Sequence, residues 1–139
     1  MRQLLLAAAA FVAGIGSGEA AMLVVRATGI GSADGMVYVG VCATGFDEAQ
    51  CPYKSRARAR PGTVELRIPD VKPGRYAIAI YHDVNGNGQL DKTFFRPSEP
   101  YGFSNGAGRS TAPRFGQAAV QVTSGAAISI RLTSIAARR

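Results

Sequence analysis

Histidine and cysteine are scarce in this sequence, which has one histidine and two cysteines among 139 residues. Protein zinc sites draw their ligands mainly from these two residue types. Eight residues separate Cys42 from Cys51, and this spacing is not that of the common thiolate zinc motifs. The scarcity therefore disfavours a zinc site.

Ser104 is the serine of a Gly-x-Ser-x-Gly stretch, Gly102 to Gly106, but no strand-turn-helix unit is predicted around it, so a nucleophile elbow is not expected. A hydrolytic set would have to combine Ser104 with the adjacent pair His82 and Asp83. Neighbouring residues of a strand point to opposite faces, so these two side chains are badly placed to cooperate. We expect a protein that is not an enzyme, and we assign no catalytic residues.

A long apolar run occurs only at the amino terminus, and it is shorter than the roughly 20 residues that span a bilayer. Arg2, the apolar residues 4–15 and the small residues after them are typical of a secretory signal peptide. We predict cleavage after Ala20, with Ala21 as the alternative, and export to the periplasm or the outside. A single domain at residues 21–135 and a basic tail at 136–139 would remain.

Helical periodicity is missing after Met22, where apolar and polar residues alternate instead. Turn-forming residues separate the alternating runs at regular intervals. The pattern predicts an all-β fold, a single antiparallel β-sandwich of about seven strands, without the βαβ units of a parallel sheet. Six strands are predicted at Met22–Thr28, Met36–Ala43, Thr63–Ile68, Arg75–Tyr81, Ala118–Thr123 and Ala127–Thr133, and a seventh is expected in the long segment after residue 91.

The connections divide into short turns and long irregular segments. The turn at residues 69–74 contains two prolines and a glycine and predicts a hairpin, and Ser124-Gly125 predicts a second hairpin between the last two strands. Residues 46–61 and 92–115 are predicted to be irregular. The second segment carries five aromatic residues, so we expect it to fold back over the end of the sandwich rather than to be disordered.

The two cysteines fit an oxidising compartment. Cys42 ends a predicted strand, and the residues up to Cys51 include the turn formers Gly45 and Asp47. A disulfide between Cys42 and Cys51 is therefore predicted. Closing so short a loop contributes about 2.5 kcal/mol to the free energy of unfolding.

The stretch from Asp83 to Asp91 carries the only recognisable chemistry. Oxygen ligands at alternate positions, interleaved with glycines, are what a hard divalent cation requires, and the register follows the first nine positions of an EF-hand loop. The sequence predicts a calcium site. Its ligands are Asp83, Asn85, Asn87, Gln89 through its backbone carbonyl, and Asp91.

Two features weaken this metal site. Phe94 stands where the EF-hand has its bidentate glutamate, so we expect an affinity of roughly 10⁻⁴ to 10⁻³ M unless a distant acid such as Glu99 completes the shell. The alternative interpretation is a metal-free turn, in which the Asn and Asp side chains accept hydrogen bonds from their own backbone. The pair of acids favours calcium, since a plain turn does not need both.

Acidic residues are outnumbered, and the formal net charge is +7. Four basic residues at every second position would project to one side of an extended chain, as either a solvated edge or a surface for anionic cell-envelope polymers. No aromatic residues interleave them, so nucleic acid is not an expected partner. The four residues are Lys54, Arg56, Arg58 and Arg60.

Some residues of the aromatic segment are expected to line a surface for an unknown ligand or an envelope component. The residues proposed for this surface are His82, Tyr101, Phe103 and Asn105. In the main interpretation, calcium at the loop orders this surface.

Several motifs taken together resemble a known bacterial family. They are Tyr81-His82-Asp83, Asn85 to Asp91, Phe94-Phe95, Pro100 to Asn105 and Pro113-Arg114-Phe115. They resemble the family called domain of unknown function 2141, over nearly all of the chain after the leader. The resemblance implies a small exported bacterial domain with a transthyretin-like or carboxypeptidase-regulatory-like sandwich, and it brings no established activity. Arg96-Pro97 departs from the Gly-Ile-Pro that is usual in the family.

Overall fold

The computed structural model describes residues 21–89, 92–93, 96–97, 99–108 and 113–133. The predicted signal peptide, the basic tail and Asp91 lie outside these residues. The helical elements are two single turns, Glu48–Gln50 and Ser104–Gly106, and the short helix α1, Phe115–Ala118. The strands are β1 (Ala21–Ile30), β2 (Met36–Cys42), β3 (Tyr53–Arg58), β4 (Gly62–Val71), β5 (Gly74–Asp83), β6 (Lys92–Thr93), β7 (Arg96–Pro97), β8 (Tyr101–Phe103), β9 (Ala119–Val122) and β10 (Ala127–Arg131).

Two main sheets contain most of these strands. The three-stranded sheet has the order β10-β1-β4. The five-stranded sheet has the order β3-β2-β5-β8, and β9 pairs with another part of β5. The short strands β6 and β7 pair with each other. All six predicted strands are present, which confirms a mostly β fold.

The pairing of β10 corrects the expectation of an entirely antiparallel fold, because β10 runs parallel to β1 from Val24↔Ala127 to Thr28↔Arg131. The expected second hairpin is also wrong, since β9 pairs with β5 and not with β10. The Ser124-Gly125 turn carries the chain from one sheet to the other. β10 therefore lies in a different sheet from β9 and runs in the same direction as β1.

The hairpin expected at residues 69–74 is wrong for the same reason. β4 pairs with β1, whereas β5 pairs with β2 in the other sheet. Val71 is 2% exposed, so this turn is anchored in the core as it passes between the sheets. Turn residues fix where a strand ends, but they do not choose the partner of the strand that follows.

One hydrophobic cluster joins the inward faces of both sheets. Period-two alternation places side chains alternately inside and outside, and the predicted inward sets of β2 and β4 are buried as expected. The best buried members are Leu23, Val25, Val37, Val41, Leu66, Ile68, Ile78, Ile80 and Val122. The core therefore lies between the sheets, and the other face of each sheet is the outer one.

Side-chain and backbone hydrogen bonds tie the edges of the two sheets together. On one side, the Ser55 hydroxyl of β3 donates to the carbonyl of Arg67 in β4 at 3.1 Å. On the other side, the Thr133 amide donates to the Tyr101 carbonyl of β8 at 2.7 Å. Within the described ranges, no helix combines the length and the apolar character that crossing a membrane would require.

Candidate functional site

Asp83 ends β5 and is fully buried on the outer side of the five-stranded sheet. One carboxylate oxygen accepts a hydrogen bond from the Asn87 amide at 3.2 Å, and the other accepts from the Gly88 amide at 2.7 Å. The chain after β5 is thereby wrapped around the carboxylate. Each oxygen of an ionised carboxylate offers about two acceptor positions, so one position on each oxygen is used.

The asparagines continue the same pattern along the loop. The Asn85 side-chain oxygen accepts from the Asn87 amide at 3.2 Å, and the Asn87 side-chain oxygen accepts from the Gln89 amide at 2.9 Å. Gly86 and Gly88 adopt left-handed backbone conformations, with φ of 72° and 77°, which glycine tolerates. The hydrogen bonds of Asp83, Asn85 and Asn87 are the backbone-capping arrangement that the metal-free interpretation predicts.

Glu99 brings a second buried carboxylate to the loop from a distant part of the chain. It is 6% exposed, and its Oε1 accepts from the amides of Val84 at 3.1 Å and Asn85 at 3.5 Å. This is the distant acid considered above as a completing ligand. In the part of the chain that the structure describes, which excludes Asp91, no group of three or more His, Cys, Asp or Glu residues gathers at one point.

Tyr81 links the loop to the outer face of the sheet. Its hydroxyl donates to the Gly88 carbonyl at 3.3 Å, and its ring stacks on Tyr38 with centroids 5.1 Å apart. Burial raises the pKa of Tyr81 to about 12, and the neighbouring Tyr38, Asp83 and Glu99 add to the shift. The phenol therefore remains a neutral donor to the loop at neutral pH.

His82 points to the core side of the sheet, which corrects its assignment to a ligand surface. Its side chain is 1% exposed, and Nε2 lies 2.6 Å from the Asp34 carbonyl oxygen. The alternation along β5 explains the difference, because His82 lies between the outward residues Tyr81 and Asp83. A ligand on the outer face would not reach it.

The other three residues of the expected ligand surface lie near the β8 edge. Tyr101 and Phe103 are partly buried on the outer face, where Phe103 pairs with Ala79 and Tyr101 with Tyr81. Asn105 is exposed, and its side-chain amide donates to the Ala119 carbonyl at 3.0 Å. The fold therefore brings these three residues close in space, while it separates them from His82.

Ser104 is held by backbone groups and not by His82 or Asp83. It is 1% exposed, its oxygen accepts from the Ile78 amide at 2.9 Å, and its hydroxyl donates to the Ala118 carbonyl. Both bonds join the turn after β8 to β5 and α1. The Ser104 side chain therefore holds these three elements together.

Cys42 and Cys51 form the predicted disulfide, with sulfurs 2.07 Å apart. The loop between them carries Phe46, whose ring lies 5.0 Å from that of Phe103 and 6.4 Å from that of Phe115. Phe46 was not predicted to belong to any site, because nothing local to it indicates which distant rings it would contact. The disulfide loop thus covers one end of the outer face.

The basic stripe belongs to β3, which was expected to be irregular. Lys54, Arg56 and Arg58 are exposed on its outer side, whereas Tyr53 and Ala57 pack inward against the core. Arg60 is also exposed but lies beyond the strand end. Only three of the four basic residues therefore share one face of the strand.

Comparison with known proteins identifies a family. The model of the family described as an uncharacterized protein conserved in bacteria, domain of unknown function 2141, matches residues 25–130. No curated protein and no solved structure matches the chain. Since the match covers most of the chain, the protein belongs to this bacterial family.

Proposed function

We propose that this family member is an exported, non-enzymatic β-sandwich module that binds calcium in the loop after β5. The cation is held by the loop residues predicted from the sequence, and it orders the neighbouring aromatic segment as a binding surface. The role of the metal is structural. The proposed ligands are Asp83, Asn85, Asn87, the Gln89 carbonyl and Asp91, with Glu99 added as the distant acid.

The observation that carries this proposal is that two buried carboxylates bind backbone amides of the same loop. Asp83 is 0% exposed and Glu99 is 6% exposed, and both accept hydrogen bonds from amides between residues 84 and 88. Burying a carboxylate is unfavourable, and two ionised carboxylates near each other also repel. A divalent cation bound by both would compensate each effect.

The residues present fit a hard cation. Calcium takes six to eight oxygen ligands from carboxylates, amide side chains and backbone carbonyls. The carboxylate and amide oxygens of Asp83, Asn85 and Asn87 that accept backbone hydrogen bonds are of the kind that has two acceptor positions each. Backbone capping and metal binding are therefore compatible in this loop, and the capping bonds would preorganise it.

A bound cation would stabilise more than the loop. Tyr81 connects the loop to the sheet through Gly88, and Glu99 connects it to the segment that leads into β8. The amide of His82 also donates to the Pro100 carbonyl at 2.8 Å, which holds that segment against β5. Ordering the loop would thereby order the approach to Tyr101 and Phe103.

Calcium-dependent thermal unfolding tests the proposal. The melting temperature of the purified protein is expected to rise with calcium above the dissociation constant and to fall back on addition of EDTA. Asp83→Asn and Glu99→Gln are each expected to reduce the calcium-induced rise, measured from the variant's own metal-free value. Asp34→Asn is the matched control, because Asp34 is an exposed acid outside the loop.

The proposal fails if Asp83→Asn and Glu99→Gln respond to calcium as strongly as the parent protein. It also fails if the parent shows no response to calcium at concentrations up to several millimolar, about the weak end of extracellular sites. A direct calcium titration by calorimetry on Glu99→Gln separates lost binding from lost stability.

A further inference from the structure

The outer face of the five-stranded sheet combines basic and aromatic residues that are far apart in the sequence. Paired residues of neighbouring antiparallel strands project to the same face. Arg56 of β3 pairs with Tyr38, Tyr38 pairs with Tyr81, and Tyr81 pairs with Tyr101. One row across four strands therefore consists of an arginine and three tyrosines, which we call the tyrosine row.

The positive charges beside this row are available to a ligand. Arg56 and Arg58 are exposed, and neither makes an ion pair within the described residues. Lys54 is bound to Glu48 at 2.9 Å, but this is a contact between exposed groups and is worth little. Alternate residues of a strand are about 6.6 Å apart, so the three cations match a ligand with repeated negative charges.

The row next to the tyrosines has small residues, Gly40 and Ala79, at its two central positions. Gly40 pairs with Lys54 on one side and with Ala79 on the other, and Ala79 pairs with Phe103. The disulfide lies directly beside Gly40, since a Cβ built there would be 3.7 Å from Cys42 Sγ. Only short side chains therefore stand between the tyrosine row and the disulfide loop at these two positions, which we call the low strip.

The tyrosine row offers a stacked pair of rings and a hydroxyl. Tyr38 and Tyr81 stack on each other with an interplanar angle of 10°. Their hydroxyls differ, because that of Tyr81 donates to Gly88, whereas that of Tyr38 makes no hydrogen bond to any residue the structure describes. A ligand rich in hydroxyl groups would therefore find a donor and acceptor at Tyr38.

We propose that this face binds an acidic polysaccharide along the tyrosine row. Arg56 and Arg58 bind its anionic groups, the Tyr38 hydroxyl bonds to its sugar hydroxyls, and the low strip at Gly40 and Ala79 accommodates its rings. Arginine pairs well with both carboxylate and sulfate oxygens through its planar fork of donors. The site does not depend on calcium.

Binding measurements in EDTA test this site independently of the metal. The probes are polygalacturonate, which carries carboxylates, and dextran sulfate, which carries sulfates, with neutral dextran and oligothymidylate for comparison. The double variant Arg56→Gln/Arg58→Gln is expected to bind the acidic polysaccharide about tenfold more weakly. Tyr38→Phe keeps the ring stack, and its lost hydrogen bond is expected to weaken binding about fivefold.

The matched control is Arg26→Gln/Arg67→Gln, which removes the same charge from the three-stranded sheet, where both arginines flank Glu65. This control is expected to bind like the parent protein. Equal losses in the two double variants would reduce the site to diffuse charge attraction and overturn the proposal. Absence of binding to both acidic polysaccharides, equal binding of neutral dextran, or tighter binding of oligothymidylate would also overturn it.

Discussion

Gly35 lies directly against the carbonyl of Asp83, and a Cβ built on Gly35 would be 1.8 Å from that oxygen. Gly35 also has a φ of 70°, a left-handed conformation that glycine adopts without strain. The turn before β2 therefore closes over the end of β5, where the candidate calcium loop begins.

Replacement of Gly35 should disturb both the fold and the loop. Gly35→Ala is expected to lower the free energy of unfolding by about 2–3 kcal/mol, because the backbone strain adds to the clash with Asp83. Gly31→Ala is the control, since a Cβ there would meet nothing within 4 Å. Chemical denaturation of both variants measures the difference, and equal stabilities would contradict the close contact.

Ser104 provides a second test of the packing around β5. Ser104→Ala removes the acceptor of the buried Ile78 amide and the donor to Ala118, so we expect a loss of about 1–3 kcal/mol. Ser129→Ala is an exposed control and is expected to change stability by less than about 0.5 kcal/mol. If the two variants unfold at the same denaturant concentration, the Ser104 bonds do not stabilise the fold.

Much of the strand content could be predicted because alternation is a local property of the chain. Val37, Val39 and Val41 were expected inside, and all three are buried. The prediction missed β3, since its inward positions are Tyr53, Ser55 and Ala57, of which only the tyrosine is strongly apolar. A strand with small or polar inward residues at a sheet edge gives little apolar periodicity.

Strand partners could not be predicted from the same pattern. The alternation of β4 and β5 requires only that one face of each strand be buried, and this holds whether they pair or lie in different sheets. Contacts across long sequence distances were harder to predict: Glu99 was considered only as an acid that could reach the loop, and the contact of Phe46 with Phe103 was not predicted. Cys42 and Cys51 were predictable because they are close in sequence.

Removal of the disulfide tests its contribution. Cys42→Ser/Cys51→Ser is expected to lower the free energy of unfolding by about 2.5 kcal/mol, because the unfolded chain regains the freedom of that loop. The same loss is expected when the parent protein is reduced with dithiothreitol. A double variant as stable as the oxidised parent, or one that reductant destabilises further, would contradict this explanation.

Alkaline pH should weaken the contact between the loop and the sheet through Tyr81. Its folded pKa of about 12 lies above the ordinary value of 10.0, chiefly because burial disfavours the charged phenolate. A group whose pKa is raised by folding stabilises the folded state fully below its unfolded pKa. That contribution is therefore present below pH 10.0 and is lost as the pH rises toward 12. In Tyr81→Phe, the fall in stability over this range is expected to be smaller than in the parent, as measured by urea unfolding at each pH. An identical fall in both proteins would show that the ionisation of Tyr81 is not linked to folding, because the phenylalanine variant has no phenol to titrate.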